Sequence, residues 1–582
     1  MEKRWRIQPH DAHRVAQLER SVGAPPVVAQ LLAARGLTDP EEAREFLDAK
    51  LTGLRDPELL PGAADAAERL HAAIQAKRRI VIYGDYDADG MTATGILHGC
   101  LKLLGADVGY YVPNRMDEGY GLNHEALKKL AERGASLVIS VDCGVASVAE
   151  ALTAKEVGLE LIVTDHHQFA DSLPEAACIV HPRLPGTAYP FAGLCGAGVA
   201  LKVAWAVCQR ASQSKKVTQA MRDYLMRAVG LAAVGTVADV VPLLDENRVL
   251  VRHGLRSLRD KPPPGVAALL ELTQLNEKPE LNSEDIGFRF APRLNAAGRL
   301  GQAQLGVELL VTESKERAEA LADYIHQLNK SRESLERSIY LAAQKQAQEQ
   351  FDPENDPALV LAGVGWHPGV IGIVSGRLAE KYGRPVILIS WDQMDAKPGV
   401  GSARSASGLN LHEALKHCQD YLVGYGGHAQ AAGLKIEEER IDGFRAELCE
   451  YVASEISAEQ RIPEIRIDAE ALFSQLTLKT MQQIEQLAPF GQDNPRPVLF
   501  AGDVQLSDAP RKMGGGDRHL LLTLEQYGAK MRAVGFGMGE EAEPLSQAMG
   551  QMLEIAYRPV INEFRGRRSV EMHLVDWRKK KT

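Results

Sequence analysis

This sequence predicts a multidomain α/β fold with an added β-barrel, and three observations predict it. At 582 residues the chain exceeds the roughly 250 to 300 residues at which a single hydrophobic core stops growing. Two separate stretches alternate short β-branched runs with segments of helical period, as strand-helix-strand units on a parallel sheet do. A final stretch holds only closely spaced strand-like runs, the pattern of a small barrel or sandwich.

In chain order, residues 1–60 read as a helical segment, with DPEEAREFL opening a helix. Residues 61–306 carry the runs IVIYGD (80–85), DVGYYVPNR (107–115), SLVISVDCG (136–144), LELIVTDHH (159–167) and ACIVHP (177–182). Each is followed by an Ala/Leu-rich helical stretch, which predicts a mainly parallel sheet. Residues 307–352 place Leu321, Ile325, Leu328, Leu335 and Ile339 at spacings that fit one helical stripe. A single connecting helix over this length would reach on the order of 60 Å; a helix pair broken at Asn329-Lys330-Ser331 is the alternative. Residues 353–457 repeat the alternation with PALVLAGVGWHPGVIGIVSGRLAEKYGRPVILIS. The polar linker SAEQRIPEI then leads into the strand-rich residues 463–582.

Composition narrows the function classes. Hydrophobic residues at 45% and charged residues at 25% are ordinary for a folded protein. The seven cysteines are an odd number, scattered, and contain no C-x-x-C pair, which argues against a disulfide framework or a zinc ribbon and for a reducing compartment. No signal-peptide pattern and no run of about 18 apolar residues is present, so a cytoplasmic protein without a membrane is expected. A net charge of −10 counts mildly against a nucleic-acid partner, yet residues 496–582 hold 14 Lys and Arg against 11 Asp and Glu. A local basic surface therefore stays open.

The chemistry begins at IVIYGDYDADGMTATG, where Asp85, Asp87 and Asp89 alternate after an apolar run. The D-x-D-x-D-G pattern also opens an EF-hand loop, but the twelfth position here is Ile96 and a strand-like run precedes it, which excludes that reading. A single aspartate such as Asp89 could serve as a helix N-cap. Three alternating carboxylates would repel one another unless a cation lay between them. Further groups stand at other element ends: Asp142 in SVDCG, Asp165-His166-His167 in VTDHH, and Asp239 in VGTVADVVPL. On an open parallel sheet they would converge at the carboxyl ends of the strands. Carboxylates with one imidazole and no thiolate favour manganese or magnesium over zinc. Asp87, Asp89, Asp142, His166 and Asp239 together can hold two divalent cations, an arrangement suited to in-line displacement at phosphorus. Metal-assisted phosphoester hydrolysis is the chemistry so inferred.

GDYDADG, SVDCG, TDHH and GTVADVVPL, in that order, resemble the motifs of the DHH phosphoesterase superfamily, named for the triplet found here at Asp165-His166-His167. The GDYDADGMTATG form and the layout of essentially the whole chain are similar to its bacterial single-strand-specific 5′ exonucleases. The resemblance implies a DHH catalytic domain, the connecting helix, a second domain of DHHA1 type and an OB-like barrel. It implies that the five metal ligands are those named above, that Asp85 supports them and that His167 contacts the scissile phosphate. Asn295 and Arg299 in RLNAAGRLG are placed near the active site, and Arg115 within reach of phosphate. In the second domain GWHPGVIGIVSGR, ending at Arg377, brings a glycine-rich turn to a helix start that favours an anion. Ser402 and Arg404 in VGSARS would hold the 5′-terminal phosphate, and Gly426, Gly427 and His428 in YGGHAQAAG would also meet substrate.

OB-folds bind single strands through basic grooves and aromatic platforms. Here the candidates are Arg511, Lys512, Arg518 and His519, with Tyr527 and Phe536 either platforms or core. The activity implied is 5′-to-3′ degradation of single-stranded DNA to nucleoside 5′-monophosphates with Mn²⁺ or Mg²⁺, in recombination and repair. Association with single-strand-binding protein and a RecQ-type helicase is implied too, the chain itself being a monomer. Two rivals are another DHH phosphodiesterase (a nano-RNase, a cyclic-dinucleotide phosphodiesterase or a pyrophosphatase) and a non-catalytic single-strand-binding scaffold.

Overall fold

Five parallel strands, β1 (Ile80–Gly84), β2 (Val108–Tyr111), β3 (Leu137–Val141), β4 (Glu160–Thr164) and β5 (Cys178–Val180), form the first sheet in the order β2-β1-β3-β4-β5. The structure, a computed structural model, describes residues 3–580 except 116–117, 353–355, 392–396, 406–407, 458, 460–461 and 565. Ala458, Gln460 and Arg461 of the expected linker lie outside the described residues, as does Lys581 at the basic end. Every residue of β1 and β3 is buried, because helices cover both faces of the sheet, and their sequences are accordingly mainly apolar rather than alternating. The strand order reverses between β1 and β3. Crossovers there leave in opposite directions and open a crevice at the carboxyl ends of these two strands.

Helices α1 (Ala88–Leu103), α2 (Gly196–Ser212), α3 (Gln219–Ala238), α4 (Asp245–Asp260) and α5 (Ala291–Arg299) pack around the sheet, followed by α6 (Ala303–Val311). The connecting helix, α7, runs unbroken over Lys315–Gln350, about 54 Å at 1.5 Å per residue. It starts where the Ser314 hydroxyl accepts the Arg317 N–H. No break occurs at Asn329, whose side chain is occupied by Arg332 and Glu333 instead of competing for the backbone. The apolar stripe differs from the expected one in its middle. Leu335 is exposed, while Asn329, Arg332 and Glu336 take the buried face. Leu321 and Ile325 join the core of the first domain, and Ile339, Ala343 and Ala347 join that of the second, so the polar middle spans the gap between two cores.

The second domain holds β6 (Leu359–Val364), α8 (Pro368–Tyr382), β7 (Val386–Trp391), β8 (Gly399–Arg404), β9 (Leu422–Gly427) and β10 (Ala431–Ile436), with sheet order β9-β10-β8-β7-β6. Only β6 and β7 pair in parallel. In the last domain β11 (Leu499–Leu506), β12 (His519–Gln526), β13 (Ala529–Gly535), β14 (Leu553–Phe564) and β15 (Arg567–Lys579) close a five-stranded ring. The pairings run β11–β12–β13–β15–β14–β11, with β13 and β15 parallel, the OB-like closure expected.

The N-terminal helices are Ala12–Val22, Pro26–Ala34 and Pro40–Asp48. Leu18, Leu31 and Leu32 share one core with Leu499, Leu520 and Tyr557 of the barrel. A strand the sequence had not marked, Arg4–Ile7, pairs in parallel with Glu464–Ile467. Buried Arg248 of α4 fastens this unit to the first domain by donating to the carbonyls of Phe46, Gln486 and Leu487.

Candidate metal centre

The aspartates that follow β1 take three different positions. Asp87 caps α1: its Oδ1 accepts the backbone N–H of Asp89 at 2.9 Å and of Gly90 at 3.0 Å. The capping role the sequence left open for Asp89 therefore belongs to Asp87. The Asp89 carboxylate instead meets the start of α2, accepting from Gly196 N–H at 2.7 Å and Ala197 N–H at 2.9 Å, where free amides and the helix dipole favour an anion. Glycine at 196 and 235 makes this approach possible. A Cβ on Gly196 would lie 2.5 Å from Asp142 Oδ1, and one on Gly235 would lie 2.3 Å from Asp89 Oδ1. Asp85 is buried behind them with its Oδ1 unpaired.

Asp142 leaves β3 with φ of +62°, a left-handed conformation that stores strain in a non-glycine residue. Its Oδ1 and His166 Nε2 are buried without hydrogen-bond partners, although they lie 3.1 Å apart. The same imidazole nitrogen is 3.5 Å from Asp239 Oδ2 and 3.9 Å from Asp89 Oδ2. Asp239 ends α3. Ligand atoms of Asp89, His166 and Asp239 form one close set, and those of Asp85, Asp87 and Asp142 another; Asp142 also closes a set with His166 and His167.

These groups do not fit a site without cations. Burial first, and then the neighbouring carboxylates, hold Asp142 well above the usual range. The same two causes push Asp239 up to about 9 and Asp89 to about 6. Burial, with the charge of His167, lowers His166 to about 3, leaving the neutral imidazole that a metal takes. Buried carboxylates facing one another and an unpaired imidazole nitrogen are what bound divalent cations would satisfy. The donor set of oxygens and one nitrogen suits manganese or magnesium.

His167 is set differently. Its Nδ1 lies 2.8 Å from Asp165 Oδ1 and 3.0 Å from the Tyr120 hydroxyl, so Nε2 is the nitrogen left for a ligand. Burial pulls its pKa down, but the bond to Asp165 and that carboxylate's charge prevail and hold it at about 9. Asp165 is itself held to about 2: burial would raise it, and His167 with the Val145 N–H outweighs that.

Three positioning residues were not singled out from sequence: Asp165 as the partner of His167, Tyr120, and Asn247. The Asn247 side chain, fully buried, donates to Gly193 O at 2.5 Å and Pro242 O at 3.0 Å. It thereby joins the loop before α2 to the loop after Asp239. Tyr120 and Asn247 carry no local pattern that would mark them.

The remaining sequence-derived candidates divide. Asn295 Oδ1 accepts the Ala88 N–H at 2.8 Å, which braces the aspartate turn. Arg115 lies over the Tyr86 ring, 4.9 Å from its centre. Arg299 donates to Gly369 O at 3.1 Å, across to the second domain. Its pKa falls to about 10 through burial and then through Arg115, Arg404 and Arg332, so these guanidiniums crowd one region. Arg404 donates to Ser402 Oγ at 3.1 Å beside Gly372, where a Cβ would come within 2.9 Å of that hydroxyl. Burial lowers His428, and the charge of His167 lowers it further, which brings the second domain's YGGHAQAAG turn to the crevice. Gly427 precedes it with φ of +129°, and Gly426 lies exposed beside it in β9.

Arg377 is engaged elsewhere, pairing with Glu336 of α7 at 2.6 Å and stacking on Tyr340. On the barrel Arg511 and Lys512 are exposed, Arg518 donates to Gly515 O, and His519 accepts the Gly537 N–H at 3.0 Å. Tyr527 and Phe536 are 74% and 57% exposed, which removes the core alternative for both.

Family models match three segments: the DHH family N-terminal domain at residues 79–229, the DHHA1 domain at 355–454 and the RecJ OB domain at 467–576. The chain is 38% identical over 575 residues to the single-stranded-DNA-specific exonuclease RecJ of Bacillus subtilis, covering 98% of this chain and 70% of that protein. It is 36% identical to the RecJ of Dickeya dadantii, covering 96% of each. The crystal structure of RecJ in complex with Mn²⁺ from Thermus thermophilus superposes with a TM-score of 0.83 at 32% identity. That match covers 100% of this chain and 80% of the other. The Mg²⁺ complex of that RecJ gives a TM-score of 0.77. With the motifs, the domain order and the cluster at the strand ends all in agreement, this chain belongs to the RecJ family of the DHH superfamily.

Proposed function

We infer that this chain is a metal-dependent exonuclease that hydrolyses phosphodiester bonds in single-stranded DNA, as its relatives are named for doing. The observation that carries this reading is the pair of unpaired buried atoms, Asp142 Oδ1 and His166 Nε2, facing each other among four further carboxylates. Asp87, Asp89, Asp142, His166 and Asp239 would hold two divalent cations, Mn²⁺ or Mg²⁺, with Asp85 supporting them. Bound there, such ions supply charge stabilisation at the phosphate and a nucleophile from water. His167, kept cationic by Asp165, contacts the scissile phosphate and stabilises its developing charge. Asn295 holds the aspartate turn in register.

Polarity follows from the groups that the first and second domains bring together. Arg115, Arg299 and Arg404, with Ser402, face the crevice as a cationic group, and a terminal 5′ phosphate is the anion they would take. Degradation from the 5′ end to nucleoside 5′-monophosphates is the consequence. The barrel's Arg511, Lys512, Arg518 and His519 hold the strand further from the cut, and Gly426, Gly427 and His428 close the passage over it. Arg377 acts by docking α8 on α7. Resemblance to the family supports a monomer in the cytoplasm that works in recombination and repair with single-strand-binding protein and a RecQ-type helicase. No described helix is long and apolar enough to cross a membrane. End-labelled single strands and blunt duplexes, incubated with Mn²⁺, Mg²⁺ or chelator, test the reading. Mononucleotide release is expected from the 5′ end of single strands only; release from the 3′ end or equal attack on duplex would refute it.

A further inference from the structure

Phe288 is the most exposed large apolar residue described, at 80%, and it does not sit on a loose loop. It occupies the centre of a single π turn, Ile286–Phe290, closed by the Ala291 N–H bonding to Ile286 O. Its neighbours are anchored on every side. Ile286 and Phe290 are fully buried in the catalytic core, and Arg289 donates to Thr273 O. Before the turn, Asn282 and Asp285 cap each other's backbone, and Ser283 donates to Phe490 O of the barrel domain at 2.5 Å. A π turn inserts one extra residue into a helix and is retained chiefly where function uses it. Here it thrusts an aromatic ring into solvent from a rigid base.

The ring's location gives the exposure a meaning that a scattered surface residue lacks. Gly287 packs on Val237, whose side chain would lie 3.6 Å from a Cβ there. Val237 lies two residues before Asp239, and its carbonyl accepts the N–H of Val240. Val240 is itself 64% exposed and left-handed at φ of +59°, a rare state for a β-branched residue. A bare apolar side chain, Val240, thus adjoins Asp239, and the turn that carries Phe288 packs on the helix that ends there. On the other side, Glu284 at the head of the same segment pairs with Arg496 of the barrel domain at 3.1 Å. His573 meets Phe536 edge-on at 4.9 Å, and Phe536 meets His519 at 5.5 Å. The Phe288 turn therefore packs on the helix that ends at Asp239 on one side and, through Ser283 and Glu284, on the barrel domain on the other.

We propose that Phe288 is a stacking post for an unpaired nucleobase of the DNA strand, between the barrel and the metal centre. An exposed ring stacks on any base, because every base has a π face, and a base held between its neighbours inside a duplex has both faces already covered. Phe288 thus contributes to strand selection as well as to grip. This rests on the nuclease reading above, and it concerns binding of the strand rather than the bond-breaking step.

The test compares wild type, Phe288→Ala and Phe288→Trp on a single-stranded oligonucleotide in Mn²⁺, reading KM and kcat separately, with Tm as the control for folding. Phe288→Ala should raise KM on the order of ten-fold with kcat within two-fold and Tm unchanged, and Phe288→Trp should restore KM. An active wild type whose KM is unaltered in Phe288→Ala overturns the stacking role alone. So does equal damage in Phe288→Ala and Phe288→Trp, which would point to shape and not to a π surface. A wild type with no metal-dependent cleavage of single strands overturns both readings.

Discussion

His166 Nε2 stands 3.1 Å from Asp142 Oδ1, both buried and neither hydrogen-bonded. Two polar atoms left this way cost free energy in the folded protein, and a cation bound between the side chains would relieve the arrangement. Because the cations bind the folded chain and not the unfolded one, they should raise its thermal stability. At Mn²⁺ one hundred times its dissociation constant, linkage gives about 2.7 kcal/mol. Differential scanning calorimetry with Mn²⁺ and with chelator should show the first transition move up with metal. An unchanged transition would count against the site.

Gly196 should be intolerant of any side chain. Gly196→Ala sets a methyl 2.5 Å from Asp142 Oδ1, so either the carboxylate or α2 must shift, and the α2 amides that hold Asp89 shift with it. Activity in saturating Mn²⁺ should drop by more than 100-fold, since misplacement by about an ångström is enough for a loss of that order.

Asn247 touches no proposed ligand, yet it joins the loops that carry Asp239 and the α2 amides. Residues that orient metal ligands typically change affinity by about 10- to 100-fold when lost. Asn247→Ala should weaken Mn²⁺ binding by about ten-fold in a calorimetric titration, with activity recovered at high Mn²⁺.

Asp165→Asn should disable His167 without removing it. The amide keeps the shape but loses the charge that holds the imidazole cationic. The expected result is a fall in kcat of at least ten-fold with Mn²⁺ affinity little changed, separating this pair from the ligands.

Much of the site was legible because its residues sit directly after strands, where an apolar run gives way to charge. The reversal of strand order between β1 and β3 then gathers Asp85, Asp87, Asp142 and His166 from positions far apart in sequence. What stayed hidden depends on partners that no local pattern names. The division of labour between Asp87 and Asp89 is decided by the first amides of α2, more than 100 residues away. Leu335 matched the helical stripe, but α7 crosses a gap between two cores at that point and buries Arg332 and Glu336 instead. The N-terminal helices read as a separate preface because their partner surface is the barrel at the other end of the chain. Phe288 was invisible because a single aromatic in a helical stretch normally points inward, and only the π turn sends it out.

Counting bound Mn²⁺ by calorimetry in wild type and Asp142→Ala, alongside cleavage of single-stranded DNA by the same preparations, tests the central claim most directly. The account predicts two ions and cleavage for wild type, and neither tight binding nor cleavage for Asp142→Ala. An Asp142→Ala protein that still degraded single strands in Mn²⁺ would contradict it.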